Sequence, residues 1–232
     1  MKLSFDEEIT FSVRCEIDLL SGYSFYGTRD GFEKDDPEDA EYPMREIRIY
    51  VDDENNEKPV AFMKLYLLES FFVAYGGEYS FSVADGFDGD TCAGIEMLIN
   101  NRLIQDKFEN YLANRRAIRH CSSGVFQNLY VYPEYRESGI GRHLMENLND
   151  IMVRFFDMDL LCLTTYLNPF QNDDINADYA KKPDRELTDS EKKMLAGMRN
   201  FVKKLGLKKI RGKKDHYMYF VRNGAEGNDL EK

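Results

Sequence analysis

The sequence is poor in the residues that build metal centres and disulfide frameworks. Its 232 residues include only four cysteines and three histidines. The cysteines are widely spaced and form no Cys-x-x-Cys pair (Cys15, Cys92, Cys121 and Cys162). Zinc sites and disulfide-rich secreted domains need closely grouped cysteines, so both are disfavoured. We therefore expect no bound metal and reduced thiols in a cytoplasmic protein.

Long apolar runs are missing as well. No stretch approaches the roughly 18 residues that a membrane span needs. The first residues, Met1 to Ser4, lead into acidic residues and do not resemble a signal peptide. Positive charge is scarce, with 31 Lys and Arg against 42 Asp and Glu and a formal net charge of −11. We therefore expect neither a membrane nor a nucleic acid as a partner.

The composition and its periodicity are those of a globular protein with alternating strands and helices. Apolar residues make up 43% of the chain, which is enough for a full core in one domain. Period-two alternation and short apolar runs predict strands near 8–20, 45–52, 59–68, 124–132, 159–167, 207–211 and 215–222. Helical spacing predicts helices over about 95–116, 140–155 and, after a capping box at Thr188–Glu191, up to Gly206.

Polar segments divide this pattern. We expect a single domain over 1–222, with polar insertions near 21–43 and 168–189 and a flexible tail at 223–232. Charge is unevenly spread, because residues 33–41 are acidic and residues 203–214 are rich in lysine and arginine. Solvated surface is the ordinary interpretation of both charged stretches.

One segment is more informative than the rest. A strand pattern ending at Val131 meets Pro133, and the sequence Arg-x-x-Gly-x-Gly at 136–141 then opens an amphipathic helix. Such a turn, which we expect to be exposed, presents backbone N–H groups at the positive end of a helix, where phosphates bind. The Rossmann pattern lacks its first glycine here, and a Walker loop needs Gly-Lys-Ser/Thr where this chain has Arg142-His143. A glycine turn without a ligand is the remaining alternative.

The segment from Val131 to Leu144 resembles motif A of the GNAT acyltransferases, whose consensus is Gln/Arg-x-x-Gly-x-Gly/Ala after a strand that ends Val-x-Pro. The resemblance covers roughly 120–222 and is looser over 1–119. It implies an α/β (α+β) GNAT fold, with a mixed central sheet of six to seven strands that splays at the cofactor site and is flanked by helices. It also implies direct transfer of an acetyl group from acetyl-coenzyme A (acetyl-CoA) to a primary amine.

The resemblance also implies which residues bind the coenzyme. They belong to the glycine turn, the motif strand and the end of the following strand: Leu129, Tyr130, Val131, Arg136, Glu137, Ser138, Gly139, Ile140, Gly141, Arg142 and Asn168. Gln127, a polar residue within the motif strand, is the candidate substrate-binding residue. Asn168 has the alternative of a simple Asn-Pro turn that ends its strand.

The resemblance does not identify the general acid and the general base of the reaction in this chain. Relatives often have a carboxylate in the motif strand, where this chain has Gln127 and Asn128. Many also have a tyrosine in the last helix, where this chain has Val202. The remaining candidates are acids on neighbouring strands, Tyr166 and Tyr217, and bases before the motif strand, Asp85, Asp88 and Glu96. Core packing for the tyrosines and solvated surface for the carboxylates are the alternatives.

These departures leave two functions open. The first is an acetyl-CoA-dependent N-acetyltransferase that acts on a small molecule or a protein, as a monomer or a homodimer. In that case the acidic surface would attract a cationic amine, and the basic stretch would lie near the coenzyme phosphates. The second is a catalytically impaired GNAT-fold protein that binds acyl-CoA as a sensor or protein-interaction module. The sequence does not fix the acceptor or the acyl-chain length.

Overall fold

A computed structural model describes residues 2–6, 9–19, 25–28, 31–34, 44–53, 58–85, 89–99, 101–114, 120–167 and 186–221. Asp88, Asn168 and the predicted tail at 223–232 lie outside the described residues. Most of the two predicted insertions lies outside them too.

A mixed β-sheet forms the centre of the fold. In chain order the strands are β1 (Lys2–Asp6), β2 (Ile9–Leu19), β3 (Phe25–Thr28), β4 (Gly31–Lys34), β5 (Met44–Asp53), β6 (Lys58–Glu69), β7 (His120–Val131), β8 (Met158–Tyr166), β9 (Lys208–Lys209) and β10 (His216–Phe220). The main sheet has the order β1-β2-β5-β6-β7-β8-β10-β9, and β3 pairs with β4 separately. All neighbours are antiparallel except β7 and β8.

Eight described strands in the main sheet exceed the six to seven that were predicted. Six central strands carry the sheet, and the short strands β1 and β9 extend its two edges. The hairpin of β3 and β4 falls within a segment, 21–43, that was predicted to be a polar loop. The α+β class and the mixed sheet are confirmed.

Helices cover both faces of the sheet. They are α1 (Ser70–Tyr75), α2 (Glu78–Asp85), α3 (Gly89–Ile99), α4 (Arg102–Asn114), α5 (Ile140–Glu146), α6 (Leu148–Phe156) and α7 (Asp189–Lys204). The first two were not predicted, because their aromatic-rich sequence has no clear helical period and Gly76-Gly77 interrupts it. Packing of Val73 and Ala74 against the core stabilises α1 instead. Among the described helices, none is long and apolar enough to cross a membrane.

Two apolar cores result from the period-two alternation of the strands. On β6, Met63 and Leu65 face one side, where α5, α6 and α7 pack, whereas Tyr66 and Leu68 face the other side, where α1 to α4 pack. The predicted apolar stripe of the motif helix is buried from Ile140 to Met152, but Phe155 is 38% exposed. The sheet is therefore sandwiched between two helical layers.

Helix α7 begins and ends as its sequence predicts. The Thr188 hydroxyl accepts a hydrogen bond from Glu191 N, and Thr188 N donates to the Glu191 carboxylate, which together form the capping box. Gly206 follows the helix in the left-handed region, with φ of 86°, and its N–H donates to Lys203 O. The local sequence alone fixes the length of this helix.

A bidentate ion pair joins α7 to the β9–β10 hairpin. Arg199 Nε and Nη2 donate to the two Asp215 oxygens at 2.6 and 2.8 Å. Asp215 is buried and has φ of 57°, in the left-handed region, and its carbonyl oxygen accepts from Leu167 N at the end of β8. The pair therefore fixes the positions of β8, β10 and α7 relative to one another.

Asp215→Asn is expected to lower the free energy of unfolding by about 1–2 kcal/mol at neutral pH, since Arg199 is 38% exposed and solvent weakens the pair. Asparagine tolerates a positive φ, so the change removes charge without adding backbone strain. The Arg199 guanidinium lowers the pKa of Asp215. The stabilisation is therefore present above the unfolded-state pKa of about 3.9 and lost as the pH falls through the folded-state pKa.

The measurement is urea unfolding of both proteins between about pH 7 and pH 2. Glu146→Gln, a change at an exposed residue of α5, is the control. A difference between wild type and Asp215→Asn that stays constant across this range would contradict the role of the ion pair.

Candidate functional site

Strands β7 and β8 part halfway along their length. They pair in parallel from His120 opposite Met158 to Val125 opposite Thr164, and no later pair joins them within the described residues. Strand β7 continues to Val131 while paired with β6, and β8 keeps β10 as the partner on its other edge as far as Tyr166. The ladder between β7 and β8 therefore ends at Val125, although β7 itself runs on to Val131.

A β-bulge lies where the strands part. Leu65 faces Phe126 across the β6–β7 ladder, whereas Lys64 faces Asn128, so Gln127 is an extra residue on β7. A bulge bends its strand and re-aims the side chains around it. Gln127, the candidate substrate-binding residue, is buried at this bend.

Helix α3 is attached at the last paired position of the two strands. Thr164 Oγ1 donates to Gly94 O of α3 at 3.1 Å and is 3.4 Å from Gly124 O of β7. Thr164 is buried. The Thr164 side chain, at the position where the opening between β7 and β8 begins, therefore contacts backbone oxygens of both α3 and β7.

The chain turns sharply after β7 through a short 3₁₀ turn at Pro133–Tyr135. The Tyr135 hydroxyl donates to Asp53 Oδ2 at 3.2 Å, which ties the turn to the end of β5. Arg136 Nε donates to Val131 O at 2.9 Å, and its guanidinium lies 5.3 Å from the centre of the Tyr130 ring. Three of the candidate coenzyme-binding residues thus hold one another in place.

The glycine turn leads directly into helix α5. Glu137 and Gly139 have φ of 67° and 86°, and Gly139 is the N-cap residue, with no side chain capping the helix. Hydrogen bonds from Asn147 N to His143 O and from Ile151 N to Asn147 O connect α5 to α6. Because first-turn amides have no partner inside a helix, those of residues 140–142 are available to an anion.

The two motif glycines differ in their surroundings. A Cβ on Gly139 would meet no atom within 4 Å. Gly141 is buried, however, and a Cβ there would lie 2.9 Å from Phe201 Cζ and 3.5 Å from Leu129 Cδ2. The expectation that both glycines are exposed is therefore wrong for Gly141, because the Phe201 ring of α7 packs on its backbone.

The candidate acids lie on β8, which borders the opening, and on its other neighbour, β10. Tyr217 is 2% exposed and packs in the core with α5 to α7. Tyr166 is half-buried at the end of β8, with its ring centre 4.6 Å from that of His216. Val202, at the position of the family's tyrosine, is a buried core residue. Tyr166 thus lies on a strand that borders the opening, whereas Tyr217 is deep in the core on the next strand, β10.

The candidate bases are not grouped with them. Glu96 is exposed on α3. Asp85 ends α2, but its side chain is outside the described set. None of these carboxylates has a described contact with β7 or the glycine turn. The structure therefore places the residues predicted to bind the coenzyme closer together than the predicted catalytic groups.

A buried charged cluster beside the motif strand was missed. Glu46 of β5 is 4% exposed, forms an ion pair with Arg48, and has its Oε2 3.3 Å from Lys64 Nζ of β6. Lys64 in turn lies opposite Asn128 on β7. The sequence did contain a signal, since Lys64 is the only charged residue in the apolar run 60–68.

The thiols are not candidate nucleophiles. Cys92, Cys121 and Cys162 are buried, and Cys15 is half-buried. Burial raises the pKa of Cys121 to about 12 and raises the pKa of Cys162 as well. Because the thiolate is the reactive form, these groups are inert near neutral pH. Within the described ranges, no group of three or more His, Cys, Asp or Glu could hold a metal ion.

No protein-family model and no curated protein matches this chain. The features that bear on function are those of the site itself: the parted strands, the bulge at Gln127, the glycine turn and the residues around them.

Glu46→Gln is expected to lower the free energy of unfolding by about 3 kcal/mol, because it removes the carboxylate that the largely buried Lys64 ammonium faces. Glu69→Gln is the matched control, since Glu69 lies 3.4 Å from Arg45 but is 33% exposed, and its loss should cost at most about 1 kcal/mol. Urea unfolding measures both. An equal loss of free energy of unfolding in the two variants would contradict the prediction that the more buried ion pair stabilises the protein more.

Proposed function

We propose that this protein is a single-domain, cytoplasmic, acetyl-CoA-dependent N-acetyltransferase of the GNAT type. The observation that carries the proposal is the parting of β7 and β8 at a bulge, followed immediately by the glycine turn at the end of β7. A gap between parallel strands and a phosphate-binding helix end are two parts of one coenzyme site. Their order along the chain is that of the family.

The diphosphate of the coenzyme would be held by backbone N–H groups over residues 137–142, at the start of α5. Arg136 and Arg142, both exposed, would add positive charge there. The pantetheine arm would then follow the β8-facing edge of β7 over residues 129–131, where its amides can pair with the backbone as an added strand does. This edge lies beyond the last pair of the β7–β8 ladder, Val125 opposite Thr164.

The acyl group would then lie near Gln127. In the reaction the amine nitrogen attacks the thioester carbonyl, a C–N bond forms and the C–S bond breaks. The ammonium proton must leave before or during the attack, and the departing thiolate must be protonated. Tyr166 and Tyr217 remain the candidate acids. Glu96, Asp85 and Asp88 remain the candidate bases, directly or through water, with a primary amine as the acceptor and the acidic surface favouring a cationic one.

A second function, an acyl-CoA-binding sensor or protein-interaction module, is favoured by one observation. Val202, where many relatives carry the tyrosine, is 2% exposed in the core. No described carboxylate replaces the missing strand carboxylate on β7. Coenzyme binding without turnover over a broad amine panel would support this alternative.

Acetyl-CoA is expected to stabilise the protein by about 2–3 kcal/mol at a hundredfold excess over its Kd, since it binds only the folded state. NADH and ATP should give much smaller shifts. Thermal unfolding measures the stabilisation, and release of free CoA over a panel of amines, measured in parallel, tests turnover. A larger shift with NADH than with acetyl-CoA would contradict the proposed coenzyme.

Gly139→Ala is expected to weaken acetyl-CoA binding by at least about tenfold. The new methyl group would occupy the open space beside the turn, and an L-residue is strained by about 1–2 kcal/mol at a φ of 86°. The control is Gly197→Ala on α7, where no atom lies within 4 Å of the new Cβ and a helical alanine should stabilise.

Isothermal titration calorimetry on the folded variants measures the affinity. Unchanged binding by Gly139→Ala would rule out the glycine turn as the diphosphate site.

A further inference from the structure

We propose that Phe201 of α7 contacts the pantetheine arm of the coenzyme where the arm runs from the glycine turn to the β8-facing edge of β7 beyond Val125. This inference rests on the proposed function, and it concerns a residue that the sequence pattern did not single out. The family resemblance pointed to the neighbouring position, Val202, which is buried in the core.

The position of the Phe201 ring is defined by two contacts. A Cβ on Gly141 would lie 2.9 Å from Phe201 Cζ and 3.5 Å from Leu129 Cδ2. The ring, the glycine backbone and the leucine methyl therefore converge on one point. Gly141 belongs to the turn that would hold the diphosphate, and Leu129 belongs to the part of β7 beyond its last pair with β8. The ring thus lies next to both parts of the proposed coenzyme site.

Phe201 is not part of the core surface of its helix. The core-facing residues of α7 are Leu195 and Val202, which are buried, and Met198 and Leu205, which pack against the same cluster. Phe201 is 37% exposed, and no buried cluster includes it. A large aromatic side chain that leans on a glycine while remaining partly open to solvent is suited to cover an apolar section of a ligand.

Gly141 has no side chain, and this leaves room for the Phe201 ring. Any larger residue there would push the ring away from the turn. Gly141 therefore has two functions, since it allows a close approach of its own backbone and leaves room for Phe201. The pantetheine arm, with its two geminal methyl groups, is the apolar part of the coenzyme next to the diphosphate, so an aromatic wall at this point matches its chemistry.

A comparison of two ligands distinguishes contacts to the pantetheine arm from contacts to the rest of the coenzyme. Coenzyme A contains the arm, whereas 3′-phosphoadenosine 5′-diphosphate contains the same nucleotide and diphosphate without it. Phe201→Ala should bind coenzyme A about tenfold more weakly than wild type does. Its affinity for the nucleotide should stay within about twofold of the wild-type value. Phe201→Leu, which keeps part of the apolar surface, should lie between. Phe155→Ala is the control, because Phe155 is 38% exposed on α6 and should change neither affinity.

Calorimetry gives both affinities for each protein, and thermal unfolding confirms that each variant is folded. Equal weakening of both ligands by Phe201→Ala would mean that the ring only supports the turn, which overturns the inference. Unchanged or tighter coenzyme A binding would overturn it as well. If wild type binds neither ligand, the proposed function fails and the inference with it. If wild type binds both and only the Phe201 result is negative, the inference alone fails.

Discussion

The sheet is held in two parts that share only a short parallel ladder, and the candidate site depends on this division. Strand β7 is paired with β6 from Ser122 to Val131, with a bulge at Gln127, and β8 is paired with β10 on its other edge from Cys162 to Tyr166. The Arg199–Asp215 ion pair and the Leu167–Asp215 hydrogen bond fix that second part against α7. The ladder between β7 and β8 ends at Val125 and Thr164, next to the bulge at Gln127 that bends β7.

The residues around this opening differ in chemistry on its two sides. On the side of α5 and α7, the walls are backbone amides, Leu129 and Phe201, which suits phosphate and an apolar arm. On the other face, Lys64 lies opposite Asn128 and within 3.3 Å of Glu46. Buried charges cost several kcal/mol unless they are paired. Their cluster therefore adds a fixed polar surface next to the bulge, without any contact to the glycine turn.

Local features were predictable because neighbouring residues produce them. The capping box of Thr188 and Glu191, the left-handed Gly206 and the strand-to-helix turn at Gly139 all follow from the preferences of single residues and short spacings. The strands of the sheet followed from their alternation. Helices α1 and α2 did not, because aromatic residues are enriched in strands rather than helices. Tertiary packing decides their conformation, since α1 packs against β6 and β7 and α2 packs against α3.

The sequence by itself determined the α+β class, the order of the strands and helices after residue 120, and the glycine turn at the end of β7. Only the tertiary structure decided where β7 and β8 part, that Gly141 is covered by Phe201, and that Glu46 and Lys64 meet. The reason is the range of the interactions. Capping and alternation act over a few residues, whereas each of these contacts joins elements that are far apart in the chain and meet only through the register of the sheet.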